Sequence, residues 1–167
     1  ADPRKFLWEA KPLEHIGISV LDRLAIDEKC QVSDVTHRIL DLAWENYRVN
    51  QLGEPKRGST GRGISPAYSD ETSQWQIFYS VFKKDRKIFS KKLREKISRA
   101  EDTIKYVCKV SEENWFEFFQ ILSDAEKKAN IDSFKKKIFE EEEFLFSTFQ
   151  TNEPFRFNAD QIEEAYW

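Results

Sequence analysis

The sequence predicts a mainly α protein: a helical subdomain with one long glycine-rich loop and at most a short strand. Apolar side chains recur at steps of three and four over most of the 167 residues, and alternation of the strand type is almost absent. Four of the five glycines fall between Gly53 and Gly63, so the helical pattern is interrupted near the middle of the chain.

Composition supports a folded domain. With 40% hydrophobic, 14% aromatic and 34% charged residues, the chain is too apolar for disorder. A net charge of −3 predicts no nucleic-acid partner and no anionic membrane surface. No apolar run approaches the roughly 20 residues of a membrane span. Cys30 and Cys108 are expected to be reduced, buried thiols of a cytoplasmic protein.

Two helices are expected before the glycine-rich segment. Pro3 at a first-turn position, followed by apolar residues at helical spacing, predicts the first helix. Residues 22–32 predict a short strand or an extended connector. Ser33 is expected to cap the second helix, with Asp34 in its first turn and Gly53 just beyond its end.

The helical pattern resumes at Asp85, after an aromatic stretch of ambiguous type. The predicted helices that follow are residues 85–107, a helix capped by Ser111, one over 132–149, and a last short turn capped by Asn158 with Gln161. Residues 1–167 thus form a single helical region: N-terminal helices and connector over about 2–50, a substrate-type loop over 53–76, and a helical bundle over 84–167.

Most polar clusters favour a structural explanation. The four glutamates of "FEEEEFLF", residues 139–146, turn by about 100° per step on a helix and cannot converge on one metal ion. His15 and His37 have no partner at ligand spacing and are expected at the surface or the edge of the core. Acidic residues interrupt "KKLREK" and follow "FKKKIF", which favours amphipathic surface over an RNA-binding helix.

The segment "RGSTGRG", residues 57–63, is different. It places two arginines, two hydroxyls and three glycines within seven residues. Free backbone N–H groups, hydroxyl donors and forked guanidinium groups are what a phosphate requires. The order is GxxGxG after a helix, so it is neither a Walker A nor a dinucleotide loop. A generic surface loop is the alternative.

The stretch "GSTGRGISPAYSD", residues 58–70, closely resembles the signature of adenylosuccinate synthetases, which usually reads GTTGRGIGPAYxDK. Upstream, residues 2–45 resemble the helix, the connector ("GISVLDRLAID" here) and the next helix of that family. Downstream, "FSKKLREKI" and "NWFEFFQIL" resemble its later helices. The resemblance therefore covers the chain and is strongest from about 2 to 70.

The resemblance implies a GDP-forming ligase of purine biosynthesis, which joins IMP and aspartate with GTP and Mg²⁺ and works as a homodimer. It implies that this helical region is inserted into a P-loop-like α/β enzyme, where it covers the nucleotide site and contributes to the dimer interface. Thr60 matches the threonine that contacts the IMP phosphate, and Ser59, Gly61 and Arg62 occupy neighbouring signature positions.

The sequence departs from the family just after the signature. This chain has Glu71 where the family has a lysine. It has Gln74 where the family has the arginine that reaches the partner subunit's IMP, and Trp75 follows. Glutamine supplies neither the charge nor the fork of a guanidinium. The family's GDEGKGK and GHNAGHT motifs are also missing, so no catalytic residue, Mg²⁺ ligand or GTP pocket is assigned to these 167 residues. Mg²⁺ and GTP are expected for the complete protein.

We therefore expect a fragment of a longer synthetase, not catalytic alone, which is consistent with Ala1 in place of an initiator methionine. A divergent, non-catalytic homologue that uses its helices for binding or oligomerisation is the alternative. A third hypothesis, an unrelated helical interaction domain, predicts that Thr60 and Arg62 are freely replaceable.

Overall fold

The computed structural model describes residues 1–129 and 145–167 of the chain. The predicted mainly helical fold is confirmed. In chain order the helices are α1 (Pro3–His15), α2 (Val35–Leu52), α3 (Ile64–Thr72), α4 (Tyr79–Lys84), α5 (Arg86–Asp102), a π-helical turn (Thr103–Val107), α6 (Glu112–Ala129), α7 (Leu145–Thr148) and α8 (Ala159–Glu164). Most of the helix predicted over 132–149, "FKKKIF" and the glutamate run lie outside the described residues.

The helix led by Pro3 is confirmed, and the connector after it is extended. Asp2 caps α1 by accepting the N–H of Arg4 at 3.0 Å, and Pro3 occupies the first turn, where no N–H is needed. The connector carries no regular strand in the described ranges. It makes a single antiparallel bridge between Gln31 and Phe78. The extended connector is thus the correct one of the two predictions for residues 22–32.

The N-cap of α2 is Asp34, not Ser33. The Asp34 side chain accepts the N–H of Thr36 at 2.9 Å, and Nδ1 of His37 accepts the N–H of Asp34 at 3.1 Å. The backbone N–H of His37 also donates to the Asp34 side chain, so Asp34 and His37 form a capping box in which histidine takes the place of the usual Glu or Gln. The α2 helix ends at Gly53, whose φ of 67° is left-handed.

The core is formed mainly by buried side chains of α2, α5 and α6, with others from the π-helical turn, α8 and the connecting segments. Its largest fully buried apolar members are Ile39, Ile77, Phe89, Leu93, Ile104, Trp115, Phe119, Leu122, Phe149 and Ile162. The predicted starts of α5 and α6 are confirmed, since Asp85 accepts the N–H of Ile88 and Ser111 accepts the N–H of Asn114. The short α8 begins as predicted, with Asn158 accepting the N–H of Gln161.

A π-helical turn shifts the phase of the α5 stripe. The N–H of Cys108 reaches back five residues to the carbonyl of Thr103 at 2.8 Å. The turn is therefore wider than an α-helical one. As a result Val107, expected on the apolar stripe, is 51% exposed, and Cys108 is buried in its place.

The segment predicted as one loop over 53–76 contains a helix. The irregular part ends at Gly63, and α3 follows over Ile64–Thr72. Pro66 lies in its first turn, where backbone N–H groups have no helical partner, so a proline is tolerated. None of the described helices combines the length and the apolar character required to cross a membrane.

Candidate functional site

The glycine-rich loop is bound to one face of α2 by two carboxylates. Glu45 is only 5% exposed, and its Oε1 accepts the N–H of Gly58 at 2.7 Å and that of Ser59 at 3.4 Å. One turn earlier, Oδ2 of Asp41 accepts the N–H of Gly63 at 3.1 Å. Both ends of the loop are therefore fixed to the same helix.

Arg38 binds the middle of the loop from the same face. Its Nε donates to the carbonyl of Gly61 at 2.8 Å, and its guanidinium lies 4.5 Å from the ring centroid of Phe146. Arg38, Asp41 and Glu45 are spaced by three and four residues, so they share one side of the helix. This spacing is the sequence signal for these three residues, none of which was predicted as a site residue.

Two of the loop glycines are in close contact with the helices. A Cβ on Gly63 would lie 2.7 Å from the carbonyl carbon of His37, and one on Gly61 would lie 2.8 Å from a methyl group of Leu122. Both glycines also have positive φ, 74° and 62°. The backbone from 61 to 63 is therefore packed against the protein and is not a free surface loop.

The expectation of free backbone N–H groups is wrong at four positions. The N–H groups of residues 58, 59 and 63 donate to Glu45 and Asp41, and that of Gly61 donates to the Ser59 hydroxyl at 3.1 Å. The side chains of Thr60 and Arg62 are exposed and have no hydrogen-bond or ion-pair partner within the described part of the chain. Contact of Ser59, Thr60, Gly61 and Arg62 with a ligand stays a prediction.

A groove of about 580 Å³ adjoins the loop and separates α1 from α3. Its lining is mixed in charge, with three basic and three acidic side chains: Lys5, Arg38, Arg62, Asp2, Glu9 and Glu71. Phe6 and Tyr68 add aromatic surface. The groove therefore brings basic, acidic and aromatic side chains together beside the loop.

A buried charge cluster lies at the base of the loop. Nζ of Lys96, on α5, lies 2.6 Å from Oδ2 of Asp34 and 2.8 Å from Oδ2 of Asp70. Nε2 of His37 lies 2.8 Å from the same Asp70 oxygen. Arg99 pairs with the other oxygen of Asp70. Three structural elements, α2, α3 and α5, therefore meet at these side chains.

Two sequence interpretations are corrected by this cluster. His37, expected at the surface or the edge of the core, is fully buried. Lys96, the last residue of "KKLREK", is buried as well, although Lys91 and Lys92 of that stretch are exposed as predicted. The signal for Lys96 was its position three residues after Leu93, on the apolar stripe of α5.

The cluster keeps both carboxyl groups ionised. Burial acts to raise the pKa of Asp34 and of Asp70, but the Lys96 ammonium and the hydrogen bonds they accept outweigh it, so both pKa values lie well below the ordinary value. Within the described residues no group of three or more His, Cys, Asp or Glu side chains could hold a metal ion. In this cluster the central cation is Lys96.

The departures after the signature form a turn beside the cluster. Gln74 is exposed with a φ of 64°, a left-handed value, and Glu71 lines the groove. Trp75 stacks on the guanidinium of Arg99 at 4.5 Å and donates its backbone N–H to the carbonyl of Asp70 at 2.8 Å. The indole therefore packs against the cluster, and this turn holds no arginine.

The two cysteines differ from the prediction that both are buried. Both thiols are free, but Cys30 is exposed and Cys108 is buried. Burial raises the pKa of the Cys108 thiol to about 12. Cys30 lies in the extended connector, which packs less closely than the helices.

Comparison with known proteins extends the resemblance of the signature to most of the chain. The family model of adenylosuccinate synthetase matches residues 1–155. The chain is 42% identical over 73 residues to the adenylosuccinate synthetase of Bacteroides fragilis, covering 44% of this chain and 16% of that protein. It is 34% identical over 109 residues to that of Hahella chejuensis, covering 65% of this chain and 24% of that protein.

A third relative, the adenylosuccinate synthetase of Synechocystis sp., is 43% identical over 76 residues, or 46% of this chain and 16% of that protein. The chain thus spans between 16% and 24% of the length of these relatives. With the family match over residues 1–155 and the signature loop fixed on α2, the chain belongs to the adenylosuccinate synthetase family.

Proposed function

We propose that the chain is the helical, substrate-loop part of an adenylosuccinate synthetase-type ligase and that its loop binds the phosphate of IMP. The observation that carries this proposal is the signature segment 58–70, which is fixed on α2 with Thr60 and Arg62 facing solvent. Thr60 donates a hydroxyl hydrogen bond to the phosphate, and Arg62 adds a charged fork. Ser59 completes the contact surface, and the buried Gly61 orients the Ser59 hydroxyl by donating its backbone N–H to it.

The loop chemistry supports approach of the phosphate from one side only. Asp41 and Glu45 occupy the side facing α2, and their charges repel an anion there. The opposite side carries Thr60 and Arg62, without a carboxylate bound to either one. Because four loop N–H groups already have acceptors, binding depends on these side chains more than on the backbone.

Other parts of the complete protein supply the chemistry in this proposal. We assign no catalytic residue to the chain, and we propose that GTP and Mg²⁺ bind elsewhere in a cytoplasmic, homodimeric ligase that joins IMP and aspartate. Gln74 stands where a guanidinium would reach the partner subunit. We therefore propose that the segment after the signature makes a weaker contact, or none, with the partner's IMP.

An NMR titration of the 167-residue chain with IMP tests the phosphate site. We expect millimolar IMP to shift the amide signals of the loop, and inosine, which lacks the phosphate, to leave them unchanged. Thr60→Val and Arg62→Ala should each weaken the response about tenfold, as expected for loss of a hydrogen bond to a charged group. Arg57→Ala, an exposed arginine of the same segment paired with Glu54, is the matched control. Equal responses to IMP and inosine, or none to IMP, would contradict the proposal.

A second candidate function is supported by the altered turn. Glu71 reverses a family charge, and Trp75 is 45% exposed, so this surface suits a non-catalytic binding or oligomerisation module. The complete gene distinguishes the two functions. GDEGKGK and GHNAGHT motifs encoded in the same reading frame support the ligase, and degenerate versions of both support the module.

A further inference from the structure

The buried charge cluster is electrically balanced. Lys96 is 1% exposed and bridges the carboxylates of Asp34 and Asp70, while Arg99 pairs with the second oxygen of Asp70. Two cations therefore face two anions. Removing one buried partner leaves an uncompensated charge, which costs far more than the pair contributes. The ammonium of Lys96 is thus the link on which the cluster depends.

The hydrogen-bond partners of His37 fix its tautomer. Its Nδ1 accepts the backbone N–H of Asp34 at 3.1 Å, so we assign the ring proton to Nε2. Nε2 then donates to Oδ2 of Asp70 at 2.8 Å. Lys96, whose Nζ lies 3.0 Å from Nε2, directs its protons to the carboxylates. His37 therefore joins the first turn of α2 directly to α3.

Each of these contacts acts on the second half of the loop, residues 61–63. His37 directly precedes Arg38, which binds the carbonyl of Gly61. Asp70 belongs to α3, which begins immediately after Gly63. Gly63 itself lies against the backbone of His37, so closely that a Cβ would be 2.7 Å from its carbonyl carbon. The position of α3 relative to α2 therefore sets the path of residues 61–63.

We propose that Lys96 is a positioning residue for the loop: from α5 it holds α3 against α2 through Asp34 and Asp70, and so fixes the direction of Thr60 and Arg62. Lys96 touches neither of those side chains. The consequence for phosphate binding rests on the proposed function. The effect on loop order does not.

Amide hydrogen exchange of the ligand-free chain tests the positioning role. Lys96→Met removes the ammonium alone, and the double variant K96M/D34N removes it together with one carboxylate. In the double variant Asp70 keeps Arg99 and His37, and asparagine is itself a good N-cap, so charge and capping remain balanced. Lys92→Met, at an exposed position of the same helix, is the control.

We expect the loop amides at 58, 61 and 63 to exchange about tenfold faster in both Lys96 variants, after correction for any change in overall stability. The α6 amides are the reference for that correction, because Trp115, Phe119 and Leu122 of this helix are buried in the core. A purely structural role would accelerate loop and α6 amides by the same factor. The ratio of the loop exchange rate to the α6 exchange rate therefore distinguishes a positioning role from a purely structural one. If Lys96→Met does not fold, the charge-balanced double variant decides.

Adding IMP separates this inference from the proposed function. Faster loop exchange in the double variant, with no effect of IMP on the parent chain, supports the positioning role and contradicts the phosphate site. Faster exchange together with at least about tenfold weaker protection by IMP supports both. An unchanged loop-to-α6 ratio in the Lys96 variants, equal to that of Lys92→Met, overturns the positioning role whatever IMP does.

Discussion

Gly63 is the loop glycine with the least space for a side chain. Its φ of 74° is unfavourable for any side chain, and a Cβ would meet His37 and Arg38 backbone atoms at 2.7 to 2.8 Å. Gly58 has a similar φ of 78°, but nothing lies within 4 Å of its Cβ position. Alanine substitutions at the two glycines therefore distinguish the free-energy cost of backbone strain, present at both, from the cost of crowding, present only at Gly63.

Gly58→Ala is expected to destabilise the fold by about 1–2 kcal/mol, the cost of a left-handed L-residue. Gly63→Ala should cost about 1–3 kcal/mol more, since helix backbone cannot move aside without overpacking strain. Urea unfolding of both variants measures the difference. Equal losses would show that the loop relaxes away from His37.

The carboxyl groups of the cluster predict acid sensitivity. Their pKa values are lowered in the folded chain, despite burial, by Lys96 and by accepted hydrogen bonds. Their stabilising effect is complete above about pH 4, the ordinary pKa of aspartate, and is lost as the pH falls toward the folded-state values. Urea unfolding between pH 7 and pH 3 should therefore show a smaller stability loss in K96M/D34N than in the parent chain. An equal loss of stability in the two chains between pH 7 and pH 3 would contradict the assignment of the acid sensitivity to this cluster.

The two thiols should differ in reactivity by orders of magnitude. Cys30 is exposed, whereas the buried Cys108 has a pKa raised to about 12 and is almost entirely protonated at neutral pH. Mass spectrometry after brief treatment with a thiol reagent should find the label on Cys30 alone, and on both residues after denaturation. Rapid labelling of Cys108 in the native chain would mean that the π-helical turn opens readily.

At the scale of elements, α2 is the support of the loop. Its residues Arg38, Asp41 and Glu45 contact the loop along two helical turns. Of the three, Glu45 makes the largest contribution to holding the loop, because two backbone N–H groups of the loop donate to one of its oxygens. The order of the first half of the loop should depend on it.

Glu45→Ala leaves the N–H groups of Gly58 and Ser59 without their acceptor and should destabilise the fold by about 1–3 kcal/mol. Glu45→Gln keeps a carbonyl acceptor and should lose about half of that. Thermal unfolding, with Glu54→Ala at the less buried end of the loop as control, measures the series. A neutral Glu45→Ala would indicate that water replaces the carboxylate.

The long elements were predictable because their sequence pattern and their packing coincide. The apolar stripe of α5, Phe89 to Ala100, and the capping of α6 by Ser111 follow directly from spacing. In contrast, α3 was hidden because Gly63 and Pro66 are loop signals, and the π-helical turn breaks the assumed period. The position of Lys96 on the apolar stripe indicated its burial, but its partners Asp34 and Asp70 could not be predicted, because they come from distant segments that periodicity does not connect.

At the scale of the whole molecule, the chain belongs to its family over residues 1–155 and corresponds to only part of its relatives. It spans between 16% and 24% of its relatives' length, and the resemblance is strongest around the loop. In the sequence, the loop could be recognised from its motif. Its attachment to α2 and the buried cluster could not, because both require residues more than a dozen positions apart to meet.

If the complete protein is the homodimeric, IMP-binding ligase that we propose, Gln74→Arg should tighten its apparent affinity for IMP about tenfold, the effect of one charged hydrogen bond. Isothermal titration with IMP measures it, with Thr72→Arg, an exposed position on the same turn, as control. If both variants bind IMP as the parent does, the turn does not reach a partner's phosphate.

The attachment of the loop to α2 has a consequence for the thermodynamics of binding. Since its backbone is already held by Arg38, Asp41 and Glu45, little conformational entropy is lost when a ligand arrives. Association should then be fast and nearly independent of loop closure. The loop would then bind a ligand through two exposed side chains, Thr60 and Arg62, on a fixed backbone, and it would not need to close over the ligand.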